Sequence, residues 1–172
     1  MAEGDVAKLS ARVRFGFGIG DLGGNLYFTL TGFYLLFYMT DVVPLPAALA
    51  GSAFMIGKIW DAVTDPVTGY VSDRTVSRWG RRRPYMAVGA VLLFGSMILM
   101  FSSPEAADPW VLFGIVTLLF CLLSLAYTLV NIPYAALLPE LTDDFDARTT
   151  LTGYRMVFAV LGTLIGAGAV LP

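Results

Sequence analysis

The sequence predicts an all-α membrane protein of five transmembrane helices, and three observations carry that prediction. The chain of 172 residues is 57% hydrophobic and only 14% charged, where ordinary soluble domains carry about 25% charged residues. Its mean hydropathy is +0.73. The apolar residues gather into five segments, about 15–39, 45–70, 85–101, 110–138 and 151–171, each close to the ~20 residues that cross a bilayer as a helix. The joints between them are short and marked by proline or charge. Helix is the expected spanning form, since strands would show alternating segments of ~10 residues. Residues 1–172 then form one transmembrane bundle.

The first segment is rich in glycine (Gly16, Gly18, Gly20, Gly23, Gly24 and Gly32) and carries Asp21 and Asn25 one helical turn apart. The second carries Lys58, Asp61 and Asp65, which share one helix face at ~100° per residue. Each charge at membrane depth costs roughly 2.5–3.5 kcal/mol on insertion scales. Such charges persist when they pair with one another or line a wet cavity. One cation cannot neutralise two carboxylates, so one carboxylate keeps spare capacity. The third segment is plainly apolar. The fourth holds Thr128 and Asn131, and the fifth holds Arg155 together with Gly162 and Gly166 at GxxxG spacing. Small residues at that spacing let helices approach closely where little hydrophobic force drives them together. Pro66 and Pro133 lie near the ends of segments two and four and free backbone carbonyls there.

Several function classes fall away. There is no histidine, which excludes histidine-based metal sites and triads, and the single Cys121 can form no internal disulfide. The net charge of −2 and the lack of a basic arm point away from nucleic acid. The first apolar segment is too long and too polar for a cleaved signal peptide.

Lysine and arginine set the expected orientation. Lys8, Arg12 and Arg14 precede the first segment, Arg74, Arg78, Arg81, Arg82 and Arg83 fall in the second joint, and Arg148 in the fourth. The first and third joints have none. The positive-inside rule places the N-terminus and these joints in the cytoplasm. Asp21, Asn25, Asp61, Asp65, Thr128, Asn131 and Arg155 then fall in one slab of the membrane. That reads as a polar cavity near the midplane, where transporters bind substrate.

At this point the residues resemble a known family. The stretch Gly69-Tyr70-Val71-Ser72-Asp73-Arg74-Thr75-Val76-Ser77-Arg78-Trp79-Gly80-Arg81-Arg82 resembles the cytoplasmic loop motif of the major facilitator superfamily. Tyr38-Met39-Thr40-Asp41-Val42-Val43, Lys58 to Pro66, Ser77-Arg78-Trp79-Gly80 and Asn131-Ile132-Pro133-Tyr134 resemble, more narrowly, the glycoside-pentoside-hexuronide:cation symporters. The resemblance implies most of the N-terminal six-helix half of a major facilitator fold, working by alternating access in the plasma or inner membrane. It implies a glycoside or other sugar as substrate, no cofactor, and Na+, Li+ or H+ as coupling ion.

Carried over position by position, it implies cation binding at Asp61, Asp65, Thr64 and Thr128, with Lys58 as charge partner. It implies sugar binding at Asn25, Asp21, Tyr127, Asn131 and Arg155, and a gating loop with Asp73, Arg74, Gly80, Arg81 and Arg82. There are departures. Asn25 and Asn131 stand where melibiose-transporting members have sugar-binding aspartates, Gly24 where they have a lysine, Ala135 where they have a stacking tryptophan, and Thr64 where they have a cation-site asparagine. The cation site is largely kept while the sugar site is rewritten. The superfamily fold has twelve helices, so a five-helix chain is expected to be an N-terminal fragment or a truncated reading frame, with the remaining helices as its partners.

Two other readings compete with this one. Gly18-Ile19-Gly20-Asp21 satisfies the GxGD pattern of intramembrane aspartyl proteases, but in that family the partner aspartate comes earlier and follows a tyrosine, while Asp61 and Asp65 come later and follow Trp60 and Thr64. A non-transporting membrane scaffold is the other alternative.

Overall fold

A computed structural model describes residues 10–170. Lys8 of the basic tail and Leu171 at the end of the fifth segment lie outside the described residues. Ordered structure among the described residues is helical: α1 Ala11–Thr29, α2 Leu35–Phe37, α3 Ala47–Arg74, α4 Arg83–Met100, α5 Pro109–Ala135, α6 Leu138–Leu141 and α7 Phe145–Val170. The five long helices match the five predicted segments, with shifted ends. The first segment does not stop at Met39. It runs on through π-helical turns at Leu30–Tyr34 and Tyr38–Val42, in which wider i→i+5 turns absorb extra residues. Thr31 and Thr40 return their hydroxyls to the Tyr27 and Leu36 carbonyls there. The fifth segment starts earlier than expected, because Asp144 accepts from the Ala147 backbone N–H at 2.8 Å and so caps the first turn of α7. Pro66 and Pro133 lie inside α3 and α5 without ending them at once, although α5 stops two residues after Pro133.

The chain divides into two compact units, residues 32–135 and the two flanking stretches together. In the first unit α3 and α5 pack as parallel neighbours. Asp65 bonds Thr128, 63 positions along the chain, and Gly57 against Phe120 and Gly69 against Ile132 repeat that separation. One register therefore holds over three turns. A Cβ at Gly57 would overlap the Phe120 ring, and one at Gly89 of α4 would press on Leu129 of α5. Phe120, Leu123, Val116, Leu35 and Met39 are fully buried. At one end Tyr38 accepts from the Ser103 backbone N–H at 2.8 Å. At the other, Asp73 accepts from Arg82 at 2.8 Å across the α3–α4 loop. Gly80 turns that loop with φ +92°, a left-handed value that only glycine takes without strain.

In the second unit α1 and α7 also run parallel. Gly18 lies against Phe158, Gly162 against the Leu22 backbone, and Gly166 against Leu26 and Thr29. These positions rise together along both helices, and the GxxxG pair is the seat.

Large apolar side chains cover the outside as well as the core. Phe33, Val91 and Phe94 are 78%, 73% and 72% exposed, which in water would be an aggregation liability and in lipid is the matched surface. Three helical stretches, Arg83–Met100, Pro109–Leu141 and Phe145–Ala169, are long and apolar enough to cross a membrane by composition. The sequence segments on α1 and α3 fall outside that set. Their helices are long enough, but they carry the glycines and the charges Asp21, Lys58, Asp61 and Asp65 that lower their mean hydropathy.

Candidate functional site

Lys58, Asp61 and Asp65 project from α3 on successive turns. Lys58 Nζ meets Asp61 Oδ2 at 3.0 Å. The ammonium also sits 5.7 and 5.9 Å from the ring centroids of Phe54 and Phe120, which stack on each other. These two rings hold the lysine over the seam between α3 and α5. Asp65 is served differently. Thr128 Oγ1 donates to Asp65 Oδ1 at 2.7 Å, and among the described residues no cation pairs with it. The site therefore holds two carboxylates, one ammonium and a hydroxyl, with one carboxylate more than the ammonium can pair. Oxygen donors of this kind suit a hard monovalent cation, and the same carboxylates suit a proton. Thr64 differs from the expectation. It is buried, but its hydroxyl donates to the Trp60 carbonyl of its own helix at 3.0 Å, as helical threonines commonly do.

In the other unit, Arg155 of α7 forks Asp21 of α1, with Nε to Oδ2 at 2.6 Å and NH2 to Oδ1 at 3.0 Å. The side chains are only 22% and 14% exposed, so this is a charge-assisted, partly desolvated bidentate pair. Phe17 lies 5.7 Å below the guanidinium. Asn25 donates its amide to the Asp21 carbonyl at 2.9 Å, and its Cβ lies beneath Gly162. Asp21, Asn25 and Arg155 are thus brought together. Both oxygens of Asp21 are engaged by arginine rather than sharing a proton with a second carboxylate, and an aspartyl dyad needs that sharing.

Tyr127 and Asn131 are half-buried on α5. The shared register places Asn131 beside Thr68 on the same α3–α5 seam as Asp65 and Thr128. Of the gating-loop residues, Asp73 pairs with Arg82, Arg74 stacks on Tyr70 at 4.0 Å, Arg81 is exposed, and Gly80 makes the turn. Sequence reasoning missed Phe54 and Phe120 as the lysine's cradle, and the hydroxyl pair of Thr75 and Tyr85 that ties α3 to α4. It named Thr128 and Asn131 but missed that they continue a stripe begun by Thr117, Cys121 and Ser124. Their 4-3-4-3 spacing marks one helix face and was legible.

Comparison with known proteins joins these observations. Residues 16–172 match the family model described as MFS/sugar transport protein. The chain belongs to the major facilitator sugar transport family. An uncharacterized symporter of Synechocystis is 43% identical over 163 residues, which is 92% of this chain and 30% of the relative. A provisionally named glycoside/cation symporter of Escherichia coli is 34% identical over 97% of this chain and 36% of its own length. The isoprimeverose transporter of Lactiplantibacillus pentosus is 34% identical over 92% of this chain and 33% of its own length. The chain thus spans about a third of the length of the curated relatives it matches. It is a membrane protein of a transporter family, and several of its relatives are named as symporters.

Proposed function

We propose that these helices belong to a cation-coupled sugar symporter, with the cation held at Asp61, Asp65 and Thr128, and with sugar contacts offered by Asn25, Asp21 and Arg155 in one unit and, separately, by Tyr127 and Asn131 in the other. The observation that carries the reading is the unequal site on α3, where Lys58 pairs with Asp61 while Asp65, one turn on, has only the Thr128 hydroxyl. Lys58 neutralises Asp61 when no cation is present. A monovalent cation then competes with Lys58, draws the carboxylates together and orders the seam with α5. Linkage makes the effect reciprocal, so the cation raises sugar affinity by the factor by which sugar raises cation affinity. The asparagines offer both donors and an acceptor to sugar hydroxyls. Arg155, held in place by Asp21, brings a guanidinium to the same group of residues as Asn25. Alternating access draws on further helices, because one bundle must rock against another. The N-terminus and the arginine-rich loop face the cytoplasm of a plasma or inner membrane. The test is uptake of a panel of labelled glycosides by a full-length protein carrying this sequence, with and without sodium. Stimulation of at least one glycoside by sodium, lithium or a proton gradient is expected. No coupled uptake of any glycoside would sink the reading.

A further inference from the structure

We propose that Ser124 is an additional oxygen ligand of the coupling cation, and that the ion bound at Asp61 and Asp65 is accordingly an alkali cation, Na+ or Li+, rather than a proton alone. The inference rests on the coupling site proposed above.

The first observation is an unused hydroxyl. Most helical serines and threonines among the described residues turn back onto a carbonyl three or four residues earlier, as Thr31, Ser52, Thr64, Ser72 and Thr152 do. Ser124 does not. It is 0% exposed, and its Oγ has no hydrogen-bond partner among the described residues. A fully buried hydroxyl without a partner is costly, and it leaves Ser124 with an unused oxygen that a ligand beside it could take.

The second observation is where that hydroxyl sits. Phe120 and Thr128 lie one turn to either side of Ser124 on α5, and both face α3, against Gly57 and Asp65. Ser124 bisects them and so faces α3 as well. On α3, Asp61 lies midway between Gly57 and Asp65. The register that joins the outer two pairs places Ser124 opposite Asp61. Asp61 at present turns its Oδ2 to Lys58. When a cation displaces the lysine, the ion meets carboxylate oxygens from Asp61 and Asp65 and hydroxyl oxygens from Thr128 and Ser124.

The chemistry distinguishes the ions. A proton needs one carboxylate oxygen, whereas a dehydrated alkali cation needs several oxygen ligands to replace its water. A second hydroxyl beside the first contributes to the latter alone. Thr117 supplies an internal control. Its hydroxyl also lacks a partner, but the register sets it near Phe54, where no carboxylate waits.

The experiment is equilibrium binding of radiolabelled sodium to the purified full-length protein carrying this sequence, with lithium as competitor. It is paired with thermal unfolding in the absence and presence of sodium. Ser124→Ala is expected to weaken sodium binding about tenfold or more, whereas Ser124→Thr stays within roughly threefold and Thr117→Ala stays at wild type. The ion-free unfolding temperature of Ser124→Ala should equal or exceed wild type, and its sodium-induced rise should shrink. Wild-type sodium affinity in Ser124→Ala overturns the inference and leaves the coupling site standing. So does a lowered ion-free unfolding temperature with the full sodium-induced rise retained, which marks a structural serine. If the wild-type protein binds neither sodium nor lithium, the inference falls, and the coupling reading survives only as proton coupling.

Discussion

Thr128 on α5 donates its hydroxyl to Asp65 on α3 at 2.7 Å, while Asp61, one turn earlier, is held by Lys58 at 3.0 Å. Two carboxylates on one helix face thus have different partners, one neutral and one charged. The predictions about coupling follow from that inequality.

Asp65→Asn keeps an oxygen for the Thr128 hydroxyl and removes only the charge. The protein should fold and retain sugar binding, but sodium should no longer raise sugar affinity. Asp61→Asn should abolish the stimulation too, leaving a cation-independent component. Sugar affinity measured with and without sodium checks this. Full stimulation in both variants would make the two aspartates structural partners of Lys58.

Lys58 competes with the cation for Asp61. The pair is partly solvated, with the lysine side chain 48% exposed and the aspartate 23%, so its strength is about 1 kcal/mol, and Lys58→Gln should raise apparent sodium affinity about fivefold. A loss of sodium affinity in that variant would show that the lysine organises the site instead of guarding it.

The Asp21–Arg155 fork is less exposed. Asp21→Ala leaves a partly desolvated guanidinium alone, and the loss should be about 3 kcal/mol, the lower end for a broken buried pair. Arg155→Lys should not rescue sugar binding, since a point charge cannot reproduce the fork. Unfolding in detergent and sugar binding report the two effects separately.

Gly162 lies on the backbone of Leu22, which cannot move aside as a side chain can. Gly162→Leu should cost more than the roughly 1–3 kcal/mol of ordinary overpacking. Gly168→Leu should be tolerated, because nothing stands within 4 Å of a Cβ there. Equal stability of the two variants would remove Gly162 from the α1–α7 contact.

The arginine-rich loop is expected in the cytoplasm. Val76 is 96% exposed, so Val76→Cys in a Cys121→Ala background should resist an impermeant thiol reagent added to intact cells and react once the membrane is opened. Ready labelling from outside would reverse the orientation.

By itself the sequence determined the helical class, the positions of five long helices to within a few residues at most ends, and the residue types of the site. Apolar length, proline and charge are local properties, and they are written in order along the chain. The spacing of Lys58, Asp61 and Asp65 already placed them on one face. Only the tertiary structure decided partnership. It gave Lys58 to Asp61 and Thr128 to Asp65, turned Thr64 back to its own helix, and closed Arg155 onto Asp21. It also set one register along α3 and α5 that brings Ser124 opposite Asp61. The reason is that register between two helices is fixed by side-chain shape at their contact. Here Gly57 admits the Phe120 ring and Gly69 meets Ile132, and neither helix encodes the other's phase.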